Sequence, residues 1–572
     1  MRGNLGLARN MTIAAIRRHP VLDKAFQIFR RRLQGLGLLN GFPDWQKQAK
    51  SDLIWHEMLS SGTPGKKVLI ATSLGSHLPA MQMETVLAVS LVLRGARVDA
   101  LLCDGLLPAC QLCEPRLFPD VNEFCSKGPQ QSLCPDCFQP GRKAYQGLGI
   151  NVLAYGDHVS EQERRQAAEL AHELPYSEIE KYSRDGMRLG GHAMAGALRY
   201  FARATLEGEK CGERVLRRYL EAALLTAFAL RKIITAGGYE VVVFHHGIYV
   251  PQGVVGEVAR SLDVRVVNWN PAYRKDCFIF SHGDTYHHTL MSEPVSTWED
   301  MPWDVDRESA IVDYLKSRWQ GGNDWIRFTD RPFFEKDQIL TEIGCNPERP
   351  IIGLLTNVLW DAQLHYPANA FPDMLEWLVF TVRYFEHRPD VQLVIRVHPA
   401  EIRGSVPTRQ PVVAVMKELF PELPPNIFLV PPESDISTYV LAELCDSVLI
   451  YGTKTGVELT ATGVPVVVAG EAWIRSKGIT QDAQNPEHYL SLLDKLPAGS
   501  RLTEEVVSRA RKYAYHFFFR RMIPVKVFTH HKGSPPFRYT DTSLEKLYPG
   551  RDAGLDCICK GILESTPFVF SA

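Results

Sequence analysis

Short apolar runs alternate with longer amphipathic stretches in two separate parts of the chain. The first part contains four such runs, which are KKVLIATS from Lys66, ARVDALLCD from Ala96, YEVVVFHHG from Tyr239 and DVRVVNWN from Asp263. Short runs of this kind, separated by helical stretches, are typical of the buried strands of a parallel sheet. We therefore predict a strand–helix–strand order here, with helices over Pro79–Arg94 and Gly253–Leu262.

The same pattern returns in the second part of the chain. Its apolar runs are PIIGLLTNVLWD from Pro350, VQLVIRVHP from Val391, NIFLVPP from Asn426, SVLIYG from Ser447 and VPVVVAG from Val464. Helices are predicted between these runs, over Met374–Phe385, Ile436–Leu444 and Gly456–Thr462. Strands that alternate with helices in two separated halves predict an α/β protein, with two Rossmann-like, doubly wound domains that face a cleft.

This pattern divides the 572 residues into five predicted parts. They are a basic helical segment at 1–60, a first lobe at 61–300 with a cysteine-rich insertion at 103–140, a helical connection at 301–348, a second lobe at 349–500, and a C-terminal helical segment at 501–572. Within the last part, the aromatic stretch Tyr513–Pro524 is predicted to be a helix.

Charge and composition narrow the function classes. Lys and Arg total 64 against 65 Asp and Glu, a formal net charge of −1, so we expect no nucleic-acid partner, because a duplex binder carries a basic excess. No apolar stretch is long enough for a transmembrane helix, and the N-terminus lacks the features of a signal peptide. We therefore expect a cytoplasmic protein.

The first 45 residues are basic and carry interleaved apolar side chains. One interpretation is docking on an anionic membrane surface, at the inner face of the cell membrane and close to a lipid-linked acceptor. The other is a solvated helix that packs on the body of the protein. The sequence leaves both open.

Six cysteines lie between Cys103 and Cys137, and four of them form a C-x2-C pair, Cys110 and Cys113, followed by another, Cys134 and Cys137. Thiolates at this spacing predict a structural zinc site in the insertion. Cys103 and Cys125 are close enough in sequence to serve as substitute ligands, which leaves an iron–sulfur cluster as the alternative.

The second lobe contains the strongest constellation of polar residues. His398 and Pro399 follow one predicted strand, and a turn with Thr453, Lys454 and Thr455 directly precedes a predicted helix. Free backbone N–H groups, hydroxyls and a positive charge at such a turn suit the phosphates of a nucleotide. Glu458, one turn into the helix, is expected to accept hydrogen bonds from ribose hydroxyls.

The His398–Pro399 pair together with GTKTGVELTATGVPVVVAGEAWIRSKGIT resembles the donor lobe of capsule polysaccharide biosynthesis proteins, which are glycosyltransferases of the GT-B type. The resemblance covers about Pro350 to Thr480 and implies that these residues hold a nucleotide-sugar donor. The donor-binding residues expected from the turn and from this resemblance are Asn357, His398, Pro399, Thr453, Lys454, Thr455 and Glu458.

A transferase that inverts the sugar needs a general base for the acceptor hydroxyl. The candidates follow predicted strands, where loops line a cleft, and they are His77, Asp104, His246 and Asp361. A capping or packing role is the competing interpretation for each of them. No paired acidic motif stands out in the cleft loops, so no catalytic divalent ion is predicted.

The sequence therefore predicts a glycosyltransferase that moves a sugar to a glycan or lipid-linked glycan acceptor of a surface polysaccharide. A CMP-linked acidic sugar is the first expectation for the donor, on the resemblance alone. The alternatives are a nucleotide-sugar epimerase or a polyol-phosphate transferase on the same fold, or a non-enzymatic, metal-containing assembly protein of polysaccharide export.

Overall fold

The computed structural model describes residues 42–60, 65–319, 324–325, 335–361, 368–404, 406–531 and 535–571. Residues 1–41 of the predicted basic segment therefore lie outside the described residues. Two helices follow in the described part of that segment. Within the described ranges, no helix combines the length and apolar composition that a membrane crossing needs.

Fifteen strands are described. They are β1 (Lys67–Ser73), β2 (Arg97–Leu102), β3 (Asn151–Ala154), β4 (Val241–His245), β5 (Arg265–Pro271), β6 (Cys277–His282), β7 (Ile351–Leu355), β8 (Gln392–Arg396), β9 (Ile427–Val430), β10 (Ser447–Ile450), β11 (Val466–Val468), β12 (Gln481–Asp482), β13 (Ile523–Pro524), β14 (Phe528–His530) and β15 (Phe537–Tyr539).

The described α-helices surround these strands. They are α1 (Trp45–Lys50), α2 (Leu53–Ser60), α3 (Leu78–Val92), α4 (Val121–Lys127), α5 (Cys134–Gly147), α6 (Glu161–Glu173), α7 (Tyr176–Ile179), α8 (Leu189–Phe201), α9 (Gly212–Gly237), α10 (Gln252–Ser261), α11 (Tyr286–Met291), α12 (Val305–Trp319), α13 (Lys336–Ile343), α14 (Met374–Glu386), α15 (Ala400–Arg403), α16 (Val412–Leu419), α17 (Thr438–Leu444), α18 (Thr455–Thr460), α19 (Pro486–Leu493), α20 (Glu504–Tyr515) and α21 (Ala553–Glu564).

Each lobe is built around one sheet. The first sheet has the strand order β13-β6-β5-β4-β1-β2-β3, in which β3, β2, β1, β4 and β5 run parallel, β6 pairs antiparallel with β5, and β13 pairs antiparallel with β6. The second sheet has the order β12-β11-β10-β7-β8-β9 and is parallel throughout. The prediction of two doubly wound α/β domains is confirmed by these two sheets.

Both faces of each sheet are covered, which explains the continuous apolar runs in the sequence. Successive side chains of a strand point to opposite faces, so Leu69 and Ala71 of β1 join one core cluster while Val68 and Ile70 join another. The second sheet divides its side chains in the same way between two further clusters. A sheet that is buried on both faces presents its ligand sites at the ends of its strands.

The cysteine-rich insertion is more ordered than a polar loop. It contains α4 and α5, and the side chains of Leu117, Phe118, Phe124 and Leu133 are buried in the core of the first lobe. Cys134 and Cys137 lie in the first turn of α5.

The C-terminal part returns to the first lobe. After α20, residues His516–Arg520 form a π-helical turn, and Ile523 and Pro524 then pair with β6 at the edge of the first sheet. The predicted helix over Tyr513–Pro524 is therefore wrong beyond Arg520. Pro524 has no N–H to continue a helix, but it is tolerated in an edge strand.

Candidate functional site

A cleft of about 1220 Å³ lies between the two lobes. Five of the polar residues that line it lie at the carboxyl ends of strands from both sheets: His246 after β4, Asn270 at the end of β5, Asn357 after β7, His398 after β8 and Thr453 after β10. In open α/β sheets, ligands bind at the carboxyl ends of the strands. The cleft is therefore the candidate functional site.

His398 lines the second-lobe wall as a neutral imidazole. The backbone N–H of Ala400 donates to its Nδ1 at 3.0 Å, which places the proton of the neutral ring on Nε2. Burial, followed by the charges of Lys454 and Arg396, lowers the pKa of His398 to about 4. Next to it, the buried Oδ1 of Asn357 has no hydrogen-bond partner among the described residues. The wall therefore offers both a donor and an acceptor.

The Thr453–Thr455 turn forms the floor of the cleft. The hydroxyls of Thr453 and Thr455 lie 3.1 Å apart, and the Thr455 backbone N–H donates to Thr453 Oγ1 at 3.3 Å. Lys454 Nζ lies 4.9 Å from the centre of the Tyr273 ring, which belongs to the first lobe. The turn thus places two hydroxyls and an ammonium group at the cleft, and their role in binding a donor stays a prediction.

Glu458 does not line the cleft. Its side chain is buried beneath the turn, where Oε1 accepts from Lys454 Nζ at 2.8 Å and lies 3.2 Å from Arg318 Nη2. Burial alone would raise the pKa of Glu458, but the adjacent Arg318 and Lys454 charges lower it to about 2. The expected hydrogen bonds to ribose are therefore replaced by an internal ion pair.

The first-lobe wall carries His246 and His287, whose ring centres lie 6.0 Å apart. His246 has a left-handed backbone, with φ of 64°, and its buried Nδ1 has no hydrogen-bond partner among the described residues. Burial, followed by the charges of Arg199 and His77, lowers its pKa to about 3. A strained, buried and neutral histidine at a cleft wall is typical of a functional position.

Asp361 lies where the two lobes meet. It lines the cleft, and the Tyr249 hydroxyl of the first lobe donates to its Oδ1 at 3.4 Å. The Tyr249 ring lies 5.0 Å from that of His246. The structure thus brings two of the four predicted general-base candidates, His246 and Asp361, to one side of the cleft.

The other two candidates lie elsewhere. His77 is set behind the wall, with its ring 5.0 Å from that of His245, and it does not line the cleft. Asp104 accepts from the backbone N–H of Gly156 at 3.2 Å on the exposed side of the first lobe. It ties the end of β2 to the segment after β3 because these parallel strands are neighbours.

The cysteines of the insertion partly converge. A separate small cavity, of about 10 Å³, is lined by Leu74, Cys103, Leu107, Cys110, Leu112, Leu133, Cys134 and Cys137. Among the described residues, no three His, Cys, Asp or Glu side chains already have the arrangement of a metal site. All twelve cysteines lie in the described ranges as free thiols. The zinc site of Cys110, Cys113, Cys134 and Cys137 stays a prediction.

Several cleft residues were not predicted from the sequence. They are Arg318 from the connecting helix α12, Tyr273 and His287 from the first lobe, and Trp473 from the second. The His287 and Trp473 rings approach to 5.8 Å across the cleft. The fold separates the three histidines of the HGDTYHH stretch, residues 282–288: His282 bonds to the Thr566 carbonyl and His288 to Asp284, while His287 faces the cleft.

The wall that carries His398 and the threonine turn falls within a known family. Residues 351–501, roughly a quarter of the chain, match the family model described as "Capsule polysaccharide biosynthesis protein". The second lobe is similar in sequence to capsule polysaccharide biosynthesis proteins. The predicted resemblance is thereby confirmed for this lobe. A comparison with curated proteins finds no match.

Solved structures with partial similarity include enzymes of two kinds. The Thermosulfurimonas dismutans KpsC, beta Kdo 2,4 transferase, is 12% identical over 48% of this chain and 79% of its own, with a TM-score of 0.32. The UDP-GlcNAc 2-epimerase of Neisseria meningitidis is 11% identical over 78% of this chain and 95% of its own, with a TM-score of 0.23. At these values neither match distinguishes a transferase from an epimerase.

Proposed function

We propose that the chain is a glycosyltransferase that moves a sugar from a nucleotide-sugar donor to the glycan of a capsular or other surface polysaccharide. The observation that carries this proposal is the cleft itself. Its second-lobe wall, inside the segment that matches the capsule family, offers the His398 imidazole, the Asn357 amide and the hydroxyls of Thr453 and Thr455. These groups suit the phosphate and sugar hydroxyls of a donor.

The size of the cleft favours transfer over an epimerase reaction. Pockets for a single drug-sized ligand occupy about 300–1,000 Å³, whereas this cleft measures about 1220 Å³. An epimerase holds one nucleotide sugar, while a transferase holds a donor and an acceptor at the same time. The additional space lies beside the first-lobe residues His246 and Tyr286, which we assign to the acceptor.

The charge at the floor favours a donor with one phosphate. Arg318 and Lys454 are the cations beside the threonine turn, and they are paired with the carboxylates of Asp324 and Glu458. These pairs neutralise both cations, so Arg396 beside His398 is the remaining cation of the described second-lobe lining, which suits one phosphate better than two. This balance is consistent with a CMP-linked sugar, and capsule enzymes of the resembled family include such donors with acidic sugars.

In this proposal, Asp361 is the group that takes the proton of the acceptor hydroxyl. It is the carboxylate at the junction of the lobes, and the Tyr249 hydroxyl orients it. His246, whose neutral ring lies beside Tyr249, positions the acceptor through hydrogen bonds. Closure of the lobes around both substrates would exclude water from the reacting sugar.

Nucleotide binding tests the donor assignment. Thermal-shift titrations of the wild type with CMP, CDP, UDP and GDP should show stabilisation by CMP, because a ligand that binds only the folded state raises its stability. His398→Ala should weaken this binding by about tenfold or more, as expected for a lost hydrogen bond to a charged group. His387→Ala, an exposed histidine of the same lobe, is the matched control.

The reaction class is tested separately. With a CMP-linked acidic sugar as donor and capsular oligosaccharides as acceptors, release of free CMP should depend on the presence of an acceptor. Conversion of a donor without an acceptor would identify an epimerase instead. If none of the nucleotides stabilised the protein, this result would contradict the proposed donor site.

A further inference from the structure

Four cysteines line the small cavity behind the loop Leu74–His77. They are not the same four that the C-x2-C spacing groups together. Cys103 follows β2, Cys110 lies in the turn after it, and Cys134 and Cys137 lie in the first turn of α5. The remaining lining is leucine: Leu74, Leu107, Leu112 and Leu133. Four thiols around one apolar cavity form a set of soft ligands with no charged side chain among them.

Cys113 belongs to the first C-x2-C pair, and its side chain contacts that of Cys110. It is fully buried but does not line the cavity. It packs in the core cluster that contains Tyr200 and Tyr219 as well as Cys103 and Cys110. Cys125 is half-buried, lies beside Cys211 and is also absent from the cavity wall. The fold thus selects Cys103 in place of Cys113 as the fourth thiol.

Backbone N–H groups point at three of the four sulfurs. The Ser76 N–H donates to Cys137 Sγ at 3.4 Å. The N–H groups of Gly105 and Leu107 hydrogen-bond to the Cys103 sulfur, and those of Leu112 and Cys113 to the Cys110 sulfur. Such donors are a regular feature of metal sites built from cysteine.

The size of the cavity restricts what it can hold. Its volume of about 10 Å³ matches one particle the size of a water molecule. This is room for a single ion and not for the several iron and sulfide atoms of a cluster. Zn²⁺ prefers four ligands in a tetrahedron and binds thiolates at about 2.3 Å, so the thiols have to close slightly on the ion.

We infer that Cys103, Cys110, Cys134 and Cys137 bind one structural Zn²⁺ ion. Binding releases the four thiol protons to solvent and leaves a centre of net charge −2, which the surrounding N–H groups offset. The ion fixes the loop after β1, because Leu74 lines the cavity and Ser76 bonds to Cys137. That loop carries His77, which packs on His245 beside the acceptor side of the cleft.

Metal content of single-cysteine variants tests this inference on the full chain. The protein is produced with zinc in the medium, purified without chelators or metal-affinity resin, and measured by plasma mass spectrometry. We expect about one Zn²⁺ per chain in the wild type, and loss of most of it in Cys103→Ser and Cys134→Ser. The matched controls Cys113→Ser and Cys125→Ser should keep about one Zn²⁺ per chain.

Cobalt provides a second readout that does not depend on a variant folding. Wild-type protein produced with Co²⁺ should show the visible absorption of a tetrahedral cobalt–thiolate centre. The inference is overturned by a folded wild type that contains neither metal, or by iron and sulfide in its place. Loss of zinc in Cys113→Ser but not in Cys103→Ser would also overturn it, since that result restores the ligand set favoured by the sequence spacing.

Discussion

The guanidinium of Arg318 lies 3.2 Å from the carboxylate of Glu458, and both side chains are buried. Arg318 belongs to α12, which connects the lobes, whereas Glu458 belongs to α18 beneath the threonine turn of the second lobe. Lys454 shares the same carboxylate at 2.8 Å. The ion pair therefore fixes the turn against the connection between the lobes, and it sets the charge of the cleft floor.

Glu458→Gln is expected to reduce stability more than nucleotide affinity. Removal of one partner from a buried ion pair leaves the other charge uncompensated and costs about 3–5 kcal/mol. Denaturant unfolding should show a loss of that order, while affinity for CMP, measured where the variant is folded, should not decrease. Glu422→Gln, an exposed glutamate of the same lobe, serves as the control. A large loss of affinity with unchanged unfolding would show that Glu458 contacts the ribose.

The sequence predicted the parallel strands well because their apolar runs are long. β1, β4, β7 and β8 begin within one or two residues of the start of the predicted runs. β3 was missed because Asn151–Ala154 is only four residues long and half-buried, so it has no apolar run. The helical prediction beyond Arg520 failed because pairing of Ile523 with the edge strand β6 is a long-range contact.

The candidate site was predictable where a residue follows a strong strand. His246, Asn357, Asp361 and His398 all reach the cleft for that reason. Arg318 was not predictable, because a charged residue in an amphipathic helix gives no sign that it is buried beside α18. The sequence places Glu458 in the helix after the threonine turn. It does not indicate the partner Arg318, which comes from the connecting helix α12.

Asp361→Asn is expected to lower the transfer rate by about 10²–10⁴-fold, the usual contribution of a general base. Binding of CMP should change little, because the donor groups lie on the wall formed by His398 and Thr453. The comparison variant is Asp104→Asn, whose carboxylate bonds to Gly156 outside the cleft. It should retain activity, although the sequence made it an equal candidate. Equal losses in both variants would contradict the assignment of the base.

Glu84 gives the protein a defined pH dependence. It is buried in the first lobe, where it accepts from the Trp269 indole at 3.0 Å and from the Thr72 hydroxyl, which in turn accepts from the His245 backbone N–H at 2.8 Å. Burial raises the pKa of this carboxyl to about 8 from an ordinary value of 4.5, although the bonds from Thr72 and Trp269 lower it in part. Glu84 is therefore protonated in the folded state at neutral pH.

The sign of the effect follows from the raised pKa. The folded state holds the proton more tightly than the unfolded state, so the stabilisation is complete below pH 4.5 and is lost as the pH rises to about 8. The loss corresponds to roughly 4 kcal/mol. Glu84→Gln keeps the shape of the protonated carboxyl but has no proton to lose over this range. As the pH rises, the unfolding free energy of the variant should therefore increase relative to that of the wild type. A difference independent of pH would contradict the buried protonated carboxyl.

Gly75 allows the loop after β1 to approach α5. A Cβ at this position would lie 2.4 Å from the carbonyl oxygen of Cys137 and 3.2 Å from the Cα of Gly141. Because both neighbours are backbone atoms, Gly75→Ala must displace either the loop or the helix, and we expect a cost of about 1–3 kcal/mol. The free energy of unfolding from denaturant titration measures this cost.

Gly452→Ala is the matched control for that change. Its Cβ would have one neighbour, the Glu471 carbonyl oxygen, at an ordinary contact distance of 3.6 Å, so the loss should stay within about 0.5 kcal/mol. If Gly75→Ala were equally mild, the loop would be free to move away from α5. Cys137 would then not hold Ser76 and His77 in place, and a metal ion bound to it would not fix the loop behind the cleft wall.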